Sequence, residues 1–116
     1  MVILNDIIET IESVAPVAWQ ESYDNAGLQV GNRFQPVSGA VVCLDVTEGV
    51  VDEAIALGYN LIVSHHPLLF KGLKSITGRS YVERIVIKAI QHNIAIYAAH
   101  TNLDNAPGGV SFRICL

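Results

Sequence analysis

Leu61-Ile62-Val63-Ser64-His65-His66-Pro67 is the stretch on which the fold turns. Leu61, Ile62 and Val63 form a short, continuous apolar run, the pattern of a strand buried on both faces. Ser64, two adjacent histidines and a proline then end it. Upstream lies a run of the same kind, Ala40-Val41-Val42-Cys43-Leu44, which ends at Asp45. Between the two, Val50, Val51, Ala54, Ile55 and Leu57 fall at helical spacing, and Gly58 stands where a helix C-terminus favours glycine. Downstream, a loop containing Lys, Gly, Ser and Thr leads to Val82, Ile85, Val86, Ala89 and Ile90, a third helical face. Ile94-Ala95-Ile96-Tyr97-Ala98 is another strand, ending near His100-Thr101-Asn102-Leu103-Asp104. Strand, helix, strand, helix, strand implies right-handed βαβ crossovers and an α/β fold with a parallel or mixed sheet and flanking helices.

The rest of the chain fits round this unit. Ile3, Leu4, Ile7, Ile8, Ile11 and Val14 make one face of an N-terminal helix, which Pro16 stops. Tyr23-Asp24-Asn25-Ala26-Gly27 reads as a turn, followed by a short apolar stretch, Leu28-Gln29-Val30, that ends at Gly31-Asn32. Pro107-Gly108-Gly109 resembles the lead-in to a further helix. No internal repeat or low-complexity tract interrupts the chain.

Composition narrows the functional classes. With 116 residues, the chain is long enough for one domain with a core. Hydrophobic residues make up 51% and charged residues 16%, which argues against disorder. No apolar run approaches the roughly 20 residues of a membrane span, and the start carries no secretory pattern. The net charge is −4, and the seven basic residues form no run, so neither a nucleic acid nor a membrane is expected as partner. Cys43 and Cys115 lack metal or redox spacing; Cys43 reads as core, and a reducing, cytoplasmic location is expected.

Ligands bind beyond the carboxyl ends of parallel strands. Here one strand ends in Asp45, the next in His65 and His66, and the third in His100 with Asp104 four residues on. Imidazole and carboxylate are the usual donors to zinc, manganese and iron. The His65–His66 pair could serve two different ions or one ion at a bend, and Asp104 could bind one ion or bridge two. A pair of ions would polarise a substrate oxygen and activate a water. Each residue also has an ordinary structural role open to it. Asp45 or Thr47 could cap the following helix, Asp104 suits a turn, and His92 suits a helix C-terminus. Lys71 and Lys74 could meet a phosphate, although loop lysines are usually just solvated.

Four ordered motifs carry a family resemblance. Tyr23-Asp24-Asn25-Ala26-Gly27-Leu28-Gln29-Val30-Gly31 resembles the Asp-Asn-x-Gly-Leu segment of the Nif-three-like family, also called GTP cyclohydrolase 1 type 2 homologs. Leu44-Asp45-Val46-Thr47 with Glu53-Ala54-Ile55 is similar to the next stretch. Ile62-Val63-Ser64-His65-His66-Pro67-Leu68 and Ala99-His100-Thr101-Asn102-Leu103-Asp104 resemble its two ligand motifs. The resemblance implies a dinuclear centre, with His65 on one ion and His66 and Asp104 on the other. The strand-end spacing supports His65, His66 and Asp104 independently and also nominates Asp45 and His100, which are expected to sit behind the ligands and orient them or water. The resemblance also implies a ring-shaped homohexamer and a hydrolase of the GTP cyclohydrolase type, acting on a nucleotide or other phosphate-bearing molecule. A nucleotide phosphoesterase and a non-catalytic metal-binding scaffold or regulator are the alternatives. The family's remaining ligands, a His and a Glu, lie in a second half. Residues 1–116 are therefore expected to be a single domain, the N-terminal lobe of a larger, truncated protein.

Overall fold

The structure is a computed structural model and describes residues 2–14, 27–69 and 72–99. The elements run α1 (Leu4–Val14), β1 (Gly27–Val30), β2 (Ala40–Cys43), α2 (Glu48–Leu57), β3 (Leu61–Ser64), α3 (Tyr81–Gln91) and β4 (Ala95–Ala98). The strands form one four-stranded sheet in the order β1-β4-β3-β2. β2 pairs parallel with β3, and β3 parallel with β4. β1 pairs antiparallel with β4, so the sheet is mixed, with βαβ crossovers through α2 and α3.

Each helix begins and ends where its capping chemistry dictates. Thr47 is the N-cap of α2, its hydroxyl accepting from the Val50 N–H, and the left-handed Gly58 (φ 73°) closes the helix. The sequence left Asp45 and Thr47 both open as caps, and Thr47 takes the role. Ser80 caps α3, accepting from the Glu83 N–H. His92 is the C-cap of α3 and donates from Nδ1 to the Lys88 carbonyl, 3.0 Å away. Because α3 runs back to the start of β4, His92 lies at the opposite edge of the sheet from the histidine pair.

Burial follows the strand alternation. On one face, Ile62 and Ile96 pack with Val51 and Ala54 of α2 and with Ile85, Val86 and Ala89 of α3. On the other, Leu61, Ala95 and Tyr97 pack against Leu4 and Ile8 of α1. Tyr97 is fully buried, and its hydroxyl donates to Glu12 Oε2 at 2.9 Å, fastening the end of α1 to the sheet. The antiparallel strand β1 carries a register shift between Leu28 and Val30. It then passes so close to β4 that a Cβ on Gly31 would lie 2.7 Å from the Ala95 Cβ, and Gly31 has φ +120°. Only glycine combines that backbone with that clearance.

Candidate metal centre

The three parallel strands end in register. Cys43 stands opposite Ser64, and Ser64 opposite Ala98. The backbone ladder continues one step beyond. The His65 N–H donates to the Cys43 carbonyl at 3.1 Å, His66 to Leu44 at 2.9 Å, and Ala99 to Ser64 at 2.9 Å. Asp45, His65, His66 and Ala99 are thereby brought to one sheet edge on hydrogen-bonded backbone.

The two imidazoles lie side by side at that edge and pair with different partners. His65 Nδ1 lies 3.3 Å from the Ala99 carbonyl oxygen, over the end of β4. His66 Nδ1 lies 2.7 Å from Asp45 Oδ1, over the end of β2. Their ring centroids are 4.8 Å apart, with the planes tilted by 52°. A carbonyl or carboxylate oxygen can only accept, so each ring, in its neutral form, carries the proton on Nδ1 and the lone pair on Nε2. This is the arrangement by which metal-ligating histidines are commonly oriented. His66 and Asp45 are both substantially exposed, with side-chain exposures of 47% and 67%. Their contact is therefore a local orienting bond, not a buried ion pair.

Asp45, Thr47, His66, Pro67 and Tyr81 line a cleft of about 370 Å³. A second cavity, of about 540 Å³, lies between β1, the loop after residue 69 and α3. Its wall is apolar apart from Gln29 and holds no acid, base or imidazole. The carboxylate of Asp45 and the imidazole of His66 line the smaller cleft. Cys43 stands nearby, packed against the core yet only partly buried. Burial, and after it the negative charge of Asp45, push its thiol up from its ordinary value.

His65, His66 and Asp45 are thus gathered at the strand ends. Asp104, His100 and Lys71 lie outside the described residues, as do residues 23–26 and the Pro107-Gly108-Gly109 segment. Among the described residues, no three His, Cys, Asp or Glu side chains form a group able to hold a metal ion. A catalytic zinc normally takes three protein ligands. Two oriented imidazoles therefore fit such a centre as part of its donor set, with the balance supplied from elsewhere. No helix among the described residues is long and apolar enough to cross a membrane.

Two contributors to this edge carried little sequence signal. Ser64 is the buried polar side chain of the described core, and its hydroxyl donates to the His66 carbonyl at 2.8 Å. Gln29 of β1 accepts the Leu69 N–H through Oε1 at 3.1 Å, tying the loop after the histidines to the far side of the sheet. Gln29 interrupts a short apolar stretch and Ser64 closes one, and those are the hints the sequence offers.

Known proteins share this arrangement of chain. The family described as Duf34/NIF3 (NGG1p interacting factor 3) matches residues 2–115. A Clostridium perfringens protein named GTP cyclohydrolase 1 type 2 homolog is 44% identical over 108 residues, 93% of this chain and 41% of that one. The crystal structure of a Bacillus cereus protein related to NIF3 superposes with a TM-score of 0.87 at 48% identity, covering 94% of this chain and 30% of that one. Reduced HcgD from Methanocaldococcus jannaschii superposes with a TM-score of 0.89 at 31% identity, covering 98% and 46%. The chain spans less than half the length of each of these three relatives. With nearly its whole length matched, this chain belongs to the Duf34/NIF3 family.

Proposed function

We propose that the chain contributes His65 and His66, with Asp104, to a divalent-metal centre that holds two ions of zinc, manganese or iron when complete. The observation that supports this most is the pairing of both Nδ1 atoms with oxygen acceptors, Ala99 for His65 and Asp45 for His66. Each ring then offers the Nε2 lone pair as donor. The ring centroids, 4.8 Å apart, are compatible with service to two neighbouring ions.

A bound pair of divalent ions supplies Lewis acidity for hydrolysis. The chain's own part is to hold and orient. Asp45 keeps the His66 proton on Nδ1 and steadies the ring, while the Thr47 hydroxyl is committed to the α2 N-terminus. Tyr81 walls the cleft beside His66. The activity that fits is a metal-dependent hydrolase of the GTP cyclohydrolase type, acting on a nucleotide or other phosphate-bearing small molecule. The working form is taken to be a cytoplasmic, ring-shaped homohexamer.

Incubation with zinc, manganese or iron and a panel of nucleotides tests this. Metal-dependent turnover that disappears in His66→Ala, with the far-UV spectrum retained, supports the hydrolase. Metal bound without turnover supports a second reading, a non-catalytic metal-binding scaffold.

A further inference from the structure

We infer that the Ser64 hydroxyl is a positioning group, one that fixes how His66 meets Asp45. Ser64 is 1% exposed at the last position of β3, on the face it shares with Ile62 by strand alternation. A hydroxyl buried there must find an acceptor. It finds one two residues along its own chain, the His66 carbonyl at 2.8 Å. The preceding peptide group is also held, because the His66 N–H donates to Leu44 at 2.9 Å. Pro67 confines His66 to extended backbone. Restrained on both sides, the His66 backbone fixes the direction of its Cα–Cβ bond, and from that position the ring reaches Asp45 Oδ1 at 2.7 Å. Asp45 itself directly follows Leu44, the residue that accepts the His66 N–H, so the acceptor and the ring are set by one stretch of backbone.

The same residue also bears on His65. Ser64 also accepts the Ala99 N–H through its backbone carbonyl, and Ala99 provides the acceptor for His65. Ser64 thus links through its backbone to the partner of one ring and through its side chain to the backbone of the other. Without the hydroxyl, the His66 carbonyl loses its anchor and the ring its fixed approach to Asp45.

The direct readout requires no metal; only the second readout depends on the proposed metal site. Long-range proton–nitrogen correlations of the histidine rings, recorded without metal at a pH where imidazole is neutral, report the His66 tautomer. The wild-type chain is expected to show the Nδ1–H form, and Ser64→Ala a mixture of both tautomers. Ser64→Thr and Ser64→Val are matched in shape and differ in the hydroxyl, so they answer the question if Ser64→Ala fails to fold. The threonine variant is expected to keep the single tautomer and the valine variant to lose it. Zinc affinity is expected to fall about tenfold in the alanine or valine variant and to be restored by threonine. A folded alanine or valine variant that retains the single Nδ1–H tautomer overturns the inference. If the wild-type chain takes up no zinc while the tautomers change as expected, the metal site is refuted and the positioning role stands.

Discussion

His66 Nδ1 lies 2.7 Å from Asp45 Oδ1, joining the end of β3 to the end of β2. The contact is short enough for a charge-assisted bond. It also separates Asp45 from the capping of α2, which Thr47 performs. The two residues, side by side at one sheet edge, are therefore expected to respond oppositely to substitution. Asp45→Asn should lower metal affinity by about tenfold or more and leave the melting temperature almost unchanged. Thr47→Ala should cost about 1 kcal/mol of stability and leave affinity intact. Calorimetric zinc titration and thermal denaturation of both variants separate the roles. Equal losses in both properties would mean that Asp45 acts through the fold.

Tyr97 should confer an alkaline limit on stability. Burial first, and then the hydrogen bond to Glu12, push its phenol well above the ordinary value of 10.0. The unfolded chain releases this proton near pH 10 while the folded chain retains it. The stabilisation is thus complete below that pH and is lost as pH rises above it. Tyr97→Phe should cost about 1–3 kcal/mol at neutral pH, since the acceptor is a carboxylate. It should also flatten the fall in stability between about pH 9 and about pH 11. Urea unfolding across that range, wild type against variant, measures both effects.

Gly31 should tolerate no side chain. Its φ of +120° and the 2.7 Å approach of a Cβ to Ala95 act together. Gly31→Ala is expected to destabilise by about 1–3 kcal/mol. Gly72, where an added Cβ meets nothing within 4 Å, is the control. Its alanine variant should stay within about 0.5 kcal/mol of wild type. Urea midpoints decide this, and equal midpoints for the two variants would show that β1 relaxes away from β4.

The core between the sheet and α2 and α3 should be sensitive to truncation. Ile62 is fully buried among Val51, Ala54 and Ile85. Ile62→Ala should cost about 2–5 kcal/mol, removing buried apolar surface and leaving a cavity. Guanidinium denaturation gives the value. A loss below about 1 kcal/mol would mean that the two helices collapse onto the vacated space.

These tests bear unequally on what the sequence discloses. The parallel strands β2, β3 and β4 were legible because each is an apolar run closed by polar residues. Helices α1, α2 and α3 were legible from spacing, and the end of α2 from Gly58. Strand β1 was not recognised as a strand. Leu28-Gln29-Val30 is short, and its pairing with β4 rests on a distant register and on the clearance at Gly31. At the strand ends, the meeting of Asp45 with the histidine pair followed from the order of elements. The acceptor for His65 did not, because the Ala99 carbonyl is backbone and leaves no mark in a sequence. Ser64 was hidden in the same way, as a small polar residue whose partner is again a carbonyl. His100 and Asp104 were singled out from the sequence and lie outside the described residues.

Zinc titration of the 116-residue chain by isothermal calorimetry, beside the His65→Ala/His66→Ala double variant, tests the metal centre most directly. Binding by the wild-type chain that is abolished or weakened at least about 100-fold in a folded double variant is the predicted result. Equal heats of binding in the two proteins, or none in the wild type, would contradict a metal centre built on His65 and His66.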